Sequence, residues 1–362
     1  MVTQELRISP DKYGREINED VERYLDGVHN DVSRTFDAAL NKLSGDLKRE
    51  IQVGYLMCRI PDTIEDYGGF TGQQKSNLLN EYREVLEDPN QRKTGEFVRS
   101  VLDSVDEDVE ALDDESRYWD LLKNSHVVMS SFQTFDKPVQ ESMVDAVDEM
   151  SRGMSEFSQK YDRSGFDGIR INDMEEFHHY CHFVAGTVGE MLTDIFSYHN
   201  DISESVSENL SNYSESFGQF LQTINILKDP LEDFESESAV FIPEEVLPGT
   251  HDDIIRELEI RDPDTIIEGM NSLLEYADRQ GDDARNYIEL IPENSEIRGY
   301  LEVPYLLARA TAREIEENPE KVAQGDLAVE REEVMAILQE AGNNEGLDQI
   351  ESDINQKPLE IK

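Results

Sequence analysis

Cysteine is scarce in this chain: only Cys58 and Cys181 occur. Two thiols cannot build a disulfide framework, so the sequence reads as that of a cytoplasmic protein. Both lie inside longer patterned stretches, where cysteine is more often a small core residue than a nucleophile. Positive charge is also scarce. There are 33 basic against 81 acidic residues, a net charge of −48. Such a surface repels a phosphate backbone, which argues against nucleic acid as a partner. No apolar run is long enough to cross a bilayer, and no signal-peptide pattern is read. The stretch from Asn343 to Lys362 is polar and cannot be a membrane anchor, so at most weak membrane association for product release is expected. No linker rich in Pro, Gly or Ser divides the 362 residues. No solenoid repeat, no alternating run of β-branched residues and no G-x-G-x-x-G signature is present.

What is present is acid spread between apolar residues, as in Val101-Leu102-Asp-Ser-Val105-Asp-Glu-Asp-Val109. The pattern looks like the solvated surface of a protein from a high-salt cytoplasm, where screening makes self-repulsion tolerable. Disorder is the rival reading. An apolar content of 37% and clear helical periodicity speak against it. The periodicity predicts a mostly α architecture. Residues 1–15 are expected to be loose, 16–342 to form the working domain, and 343–362 a polar tail.

Two acidic stretches stand out. One reads Tyr55-Leu-Met-Cys-Arg59-Ile-Pro-Asp62-Thr-Ile-Glu65-Asp66. The other reads Gln222-Thr-Ile-Asn225-Ile-Leu-Lys228-Asp229-Pro-Leu-Glu232-Asp233. Each ends in D-x-x-E-D. Residues four apart on a helix share a face, about 6 Å apart along the axis. Tyr55, Arg59, Asp62 and Asp66 therefore form one stripe. Gln222, Asn225, Asp229 and Asp233 form another. Stacked carboxylates repel, and a divalent cation removes the repulsion. Oxygen-only ligands suit Mg2+, which keeps waters and takes carboxylates together with substrate phosphates. In so acidic a chain one copy would be surface noise, but two copies, each in register with polar residues and an apolar run, are less easily dismissed.

Pro61 and Pro230 fall inside the stretches, so both motifs are expected at helix distortions. Tyr67–Lys75 and Asp88–Gly95 are expected loops, with Arg92 and Lys93 in the second. His178, Cys181 and His182 suggest a zinc or iron site by spacing, but no further ligands stand at suitable distance.

Further stretches agree with a known pattern. They are Ser33-Arg34-Thr35-Phe36, Gly153-Met-Ser-Glu-Phe157, Tyr180-Cys-His-Phe-Val-Ala-Gly186-Thr-Val-Gly189 and Phe241-Ile-Pro-Glu-Glu245. Together with the acidic motifs, in this order, they resemble the squalene/phytoene synthase family of head-to-head prenyl transferases. The similarity runs from about Ser33 to about Gly325.

The resemblance implies an all-α, single-domain isoprenoid-synthase (terpenoid synthase) fold with a central cavity. It implies that Asp62, Glu65, Asp66, Asp229, Glu232 and Asp233 hold Mg2+. Tyr55, Arg59, Ser33, Arg34 and Phe36 would support one farnesyl diphosphate, and Gln222, Asn225 and Lys228 the other. Lys228 stands where the family often has Arg. Tyr180 matches the tyrosine thought to assist the first half-reaction. The stretch Gly299–Thr311 resembles the squalene-forming branch, which implies a cyclopropyl diphosphate intermediate reduced by NADPH. Arg92, Lys93 and Arg331 are then the candidates for the reductant's phosphate. The family's lysines after a glycine are missing from Gly325-Asp-Leu-Ala-Val-Glu330-Arg331. A phytoene or dehydrosqualene synthase without reductant is the alternative. A non-catalytic prenyl-lipid-binding relative is the third reading, against which the intact motifs argue.

Overall fold

The computed structural model describes residues 9–10, 16–17, 19–32, 34–105, 116–164, 168–199, 202–260, 264–343 and 346–360. Almost all of them are helical, as the periodicity predicts. The strands among the described residues are Ser9–Pro10 and Glu16–Ile17, which pair antiparallel.

Local chemistry sets many boundaries. Thr71 caps the helix Gly72–Glu87 in a reciprocal pair with Gln74, its hydroxyl accepting from the Gln74 N–H at 3.2 Å. Asn90 caps Gln91–Ser104 by accepting from the Arg92 and Lys93 N–H groups. These caps correct two expected loops. Gln73, Gln74 and Lys75 are helical, and so are Arg92 and Lys93.

The centre of the molecule is the helix Gly45–Asp66, which carries the first acidic stretch. Val53, Leu56, Met57, Ile60 and Ile64 on it are fully buried. Around it pack Gly72–Glu87, Ser125–Phe132, Lys137–Ser164 and Thr187–Tyr198. Leu121, Leu122, Val127, Val128 and Met129 are in the core. The second acidic stretch ends the helix Ser214–Lys228 and starts Pro230–Glu237. Ser214–Lys228 packs against Asp264–Leu290 and Glu296–Glu317.

The two prolines behave differently. Pro61 is carried inside one continuous helix and does not restart it. Pro230 does break the chain into two helices and takes the first position of the second, where its missing N–H costs nothing. The second motif is therefore not one continuous stripe. Asp229 is the hinge, with φ −117° and ψ 31°.

The C-terminal stretch read as a polar tail contains the helix Leu347–Ile354. Its Leu347, Ile350 and Ile354 are buried, and it packs against Glu296–Glu317. The Arg309 Nε lies 3.0 Å from a Glu351 carboxylate oxygen, and Arg313 donates to the Ile354 carbonyl at 2.8 Å. Apolar residues at i, i+3 and i+7 mark the face that docks.

Candidate active site

A cavity of about 940 Å³ lies between the helices that carry the two acidic stretches. From the first, Tyr55, Arg59, Asp62, Glu65 and Asp66 line it. From the second come Gln222, Asn225, Lys228, Asp229, Glu232 and Asp233. Phe36 and Tyr180 line it too. Part of its wall, away from the motif ends of the helices, is apolar, with Ile51, Val184, Val188, Met191, Phe217 and Leu221. Polar heads at one end and an oily wall at the other suit a long amphipathic ligand.

The first stretch is densely charged. Arg59 pairs with Asp62, and its other guanidinium nitrogen lies 3.8 Å from Asp66. Its guanidinium also sits 4.5 Å from the centre of the Tyr118 ring. Burial opposes the Arg59 charge, but Asp62 and Asp66 more than offset this and hold it above its ordinary range. Carboxylate oxygens of Asp62, Glu65 and Asp66 all fall within 4.8 Å of one another. Burial, then the Asp62 charge, pushes Glu65 up to about 7 against the partial relief of Lys75 and Tyr180. Asp66 is raised by burial and by Asp62 and Glu65, with Arg59 and Lys75 opposing.

The second stretch adds to the same field. Lys228 Nζ reaches both Asp229 oxygens, at 2.8 and 2.7 Å. Asp233 is raised by burial, by Asp229 and Glu232, and also by Glu65 from across the cavity. The two motifs are thus one electrostatic unit. Glu237 belongs to it as well. It lines the cavity and is pushed up by burial and by Asp66, Glu65 and Asp233. Sequence reasoning missed Glu237, although it stands four residues after Asp233 on the helix Pro230–Glu237. Carboxylates forced together and held above their ordinary range need a counter-charge. The donors are oxygen only, which fits a hard divalent cation.

Tyr180 is buried beside this cluster. Its hydroxyl lies 3.5 Å from a Glu65 oxygen, and its ring stacks on Phe241 at 4.8 Å. Burial first, then the surrounding carboxylates, keeps it a neutral phenol. The strap carrying Phe241 is fixed by backbone bonds from Val240 N to Ile169 O at 2.9 Å and from Glu244 N to Ile171 O at 3.0 Å. Glu245 accepts from the Met174 N–H at 2.9 Å.

After Tyr180 the helix widens to one π-turn, His182–Gly186. A side chain at Gly189 would strike the Ser214 carbonyl, and one at Gly218 the Ala185 carbonyl. These glycines allow the two helices to approach closely. His182 bonds Glu215 at 2.9 Å, and His178 lies 3.2 Å from Gln219. Cys181 is fully buried, its thiol pushed above its ordinary range by burial. Among the described residues, His178, Cys181 and His182 do not form a group with ligand atoms close enough to share one ion.

Other expected residues stand elsewhere. Arg92 is 79% exposed and 4.0 Å from Glu96. Lys93 faces Asp88 at 3.5 Å. Arg331 opens the helix Arg331–Glu340 and is exposed. None of the three lines the cavity. Ser33 and the Arg34 side chain lie outside the described residues. Arg117 and Tyr118, which sequence reasoning did not single out, line the cavity beside Arg59.

A largely helical chamber with an acidic motif from each of two helices fits the expected prenyl transferase of the terpenoid-synthase fold. The squalene/phytoene synthase family matches residues 29–333, and the chain belongs to that family. The squalene synthase of Mus musculus is 27% identical over 318 residues, 87% of this chain and 68% of that protein. That of Homo sapiens is 25% identical over 314 residues, with the same shares. Among solved structures, the complex of TcSQS with the ligand BPH1237 superposes with a TM-score of 0.75 at 19% identity, covering 93% of this chain and 90% of that one. A dehydrosqualene synthase in complex with ligand gives 0.55 at 16% identity, covering 94% and 98%. These likenesses are of fold. Among the described residues, no helix is long and apolar enough to cross a membrane.

Proposed function

We propose that the protein joins two farnesyl diphosphates head to head through a cyclopropyl diphosphate, and that squalene is the product when NADPH is supplied. The observation that carries this reading is the convergence of two acidic stretches on one cavity with an apolar inner wall. That shape suits a diphosphate head and a long hydrocarbon tail. The relatives named squalene synthase support the choice of substrate and product.

Magnesium is the proposed ion. Asp62, Asp66, Asp229 and Asp233 would hold it, with Glu65 and Glu232 beside them. When bound, it supplies charge neutralisation for a leaving diphosphate. The side chains do the rest. Arg59 and Lys228 meet diphosphate oxygens, and Gln222 and Asn225 hold the second head group. Tyr55 and Phe36, whose rings lie 5.3 Å apart, close the wall near the first. The apolar wall keeps water from an allylic cation. The neutral Tyr180 presents a π-face and a hydroxyl to that cation, able to stabilise it and, with its own proton passing to the Glu65 carboxylate it faces, to relay a proton away.

The basic residues expected to hold the reductant lie outside this cavity, so no hydride step is assigned to a side chain. Free Cys58 and Cys181 support a reducing, cytoplasmic setting, and the acidic surface a salty one.

Product analysis by mass spectrometry tests the reading. With farnesyl diphosphate and Mg2+ alone, the cyclopropyl diphosphate should accumulate, and added NADPH should convert it to squalene. Faster turnover of geranylgeranyl diphosphate, or an unsaturated product formed equally well without NADPH, would replace this reading with a phytoene- or dehydrosqualene-forming one.

A further inference from the structure

Pro61 stands one residue before Asp62, inside the helix Gly45–Asp66. A proline has no N–H to give the carbonyl four residues back, here that of Met57. Met57 is fully buried, so water cannot serve its carbonyl. The hydroxyl of Tyr82 donates to that carbonyl at 3.0 Å. Tyr82 is itself fully buried, its ring 5.2 Å from Phe97.

We propose that Tyr82 is a positioning residue for the acidic site: its hydroxyl replaces the bond that Pro61 removes and so fixes the turn that presents Asp62, Glu65 and Asp66. The proposal rests on the reading of those carboxylates as cation ligands. Tyr82 belongs to the helix Gly72–Glu87, which grips the motif a second time. Lys75 Nζ donates to the backbone carbonyl of Glu65. One helix thus clamps the motif backbone on both sides of Asp62. That helix is tied in turn to Lys137–Ser164. Arg83 makes a two-pronged pair with Asp148 at 2.8 and 3.1 Å, and Ser76 bonds Ser155 at 2.7 Å. The continuity of the helix through Pro61 follows from this clamp, whereas Pro230 breaks its helix.

The test is a double-mutant cycle of Tyr82→Phe and Pro61→Ala. An alanine at 61 returns the backbone N–H and makes the Tyr82 hydroxyl redundant. Two readouts are taken on the whole chain without turnover: the thermal midpoint, and Mn2+ binding by electron paramagnetic resonance with inorganic diphosphate present. Tyr82→Phe alone should lower the midpoint and weaken Mn2+ binding by roughly three- to tenfold, the loss of one buried bond. In the Pro61→Ala background the same change should cost less than half as much in both readouts. Equal losses in the two backgrounds, or none in either, overturn the proposal. If Tyr82→Phe alone fails to fold, recovery of folded protein in the double variant supports it, and failure to recover refutes it. Neither readout uses farnesyl diphosphate, so an error in the proposed substrate shows separately, as wild-type protein that binds Mn2+ and leaves farnesyl diphosphate unchanged.

Discussion

Substituting Glu65 by glutamine should flatten the pH dependence of stability in the metal-free protein. Glu65 is 3% exposed and is held at about 7 against an ordinary 4.5, by burial first and by Asp62 next. Its folded value is above its unfolded one, so the native state binds the proton more tightly. The stability this gives is complete below about pH 4.5 and is lost as pH rises through about 7. At about 1.4 kcal/mol per pKa unit the loss amounts to about 3 kcal/mol. A chain of this length has an unfolding entropy of about 0.8 kcal/mol/K, so the melting temperature should fall by about 4 °C from this group alone. Asp66, Asp233 and Glu237 are raised in the same sense and deepen the fall. The assay is a set of thermal melts from pH 5 to 8 at fixed molar salt, in chelator and again in excess Mg2+. Wild type in chelator should lose stability toward pH 8, Glu65→Gln should lose about 4 °C less, and Mg2+ should restore the wild type by binding only the folded state. Identical slopes for wild type and Glu65→Gln in chelator would refute the reasoning, because they would mean that Glu65 ionises in the fold as easily as outside it.

Asp62→Asn and Asp229→Asn should each reduce turnover at least about a hundredfold, since each strips a ligand charge from the diphosphate end of the cavity; helical circular dichroism, measured alongside, should stay at the wild-type level. Melting temperature should climb along a potassium chloride series, because screening relieves a net charge of −48; a midpoint that is flat or highest at low salt counts against the high-salt reading. Pro230→Ala should let Ser214–Lys228 run on into the next helix and shift Asp229 and Asp233 from their present places at the cavity, lowering kcat about tenfold or more in steady-state assays. Ending the chain after Asn343 removes buried Leu347, Ile350 and Ile354, each contributing about 2 kcal/mol, and leaves Arg309 without Glu351; calorimetry should show a large loss of stability.

The sequence by itself determined a great deal. Helical periodicity and the absence of alternating β-branched runs pointed to a mostly α architecture, and the family resemblance to an all-α one. Spacing within D-x-x-E-D placed Asp62 and Asp66 on one face, because a helix repeats every 3.6 residues whatever surrounds it. The motifs resembled a family, and that family is the one matched over residues 29–333. Tertiary structure decided what depends on partners distant in the chain. Pro61 and Pro230 look equivalent as letters, yet only Pro61 is bridged, because a hydroxyl from another helix reaches its orphaned carbonyl. Arg117 joins the site through packing that no local pattern announces, and Arg92, Lys93 and Arg331 stand apart from it for the same reason, whereas Glu237 follows Asp233 by one helical turn. The polar C-terminal stretch docks because three apolar side chains share one helical face and find a groove. The raised Glu65 carboxyl is likewise a tertiary property: its cause is the water excluded and the charges gathered around it when the helices close.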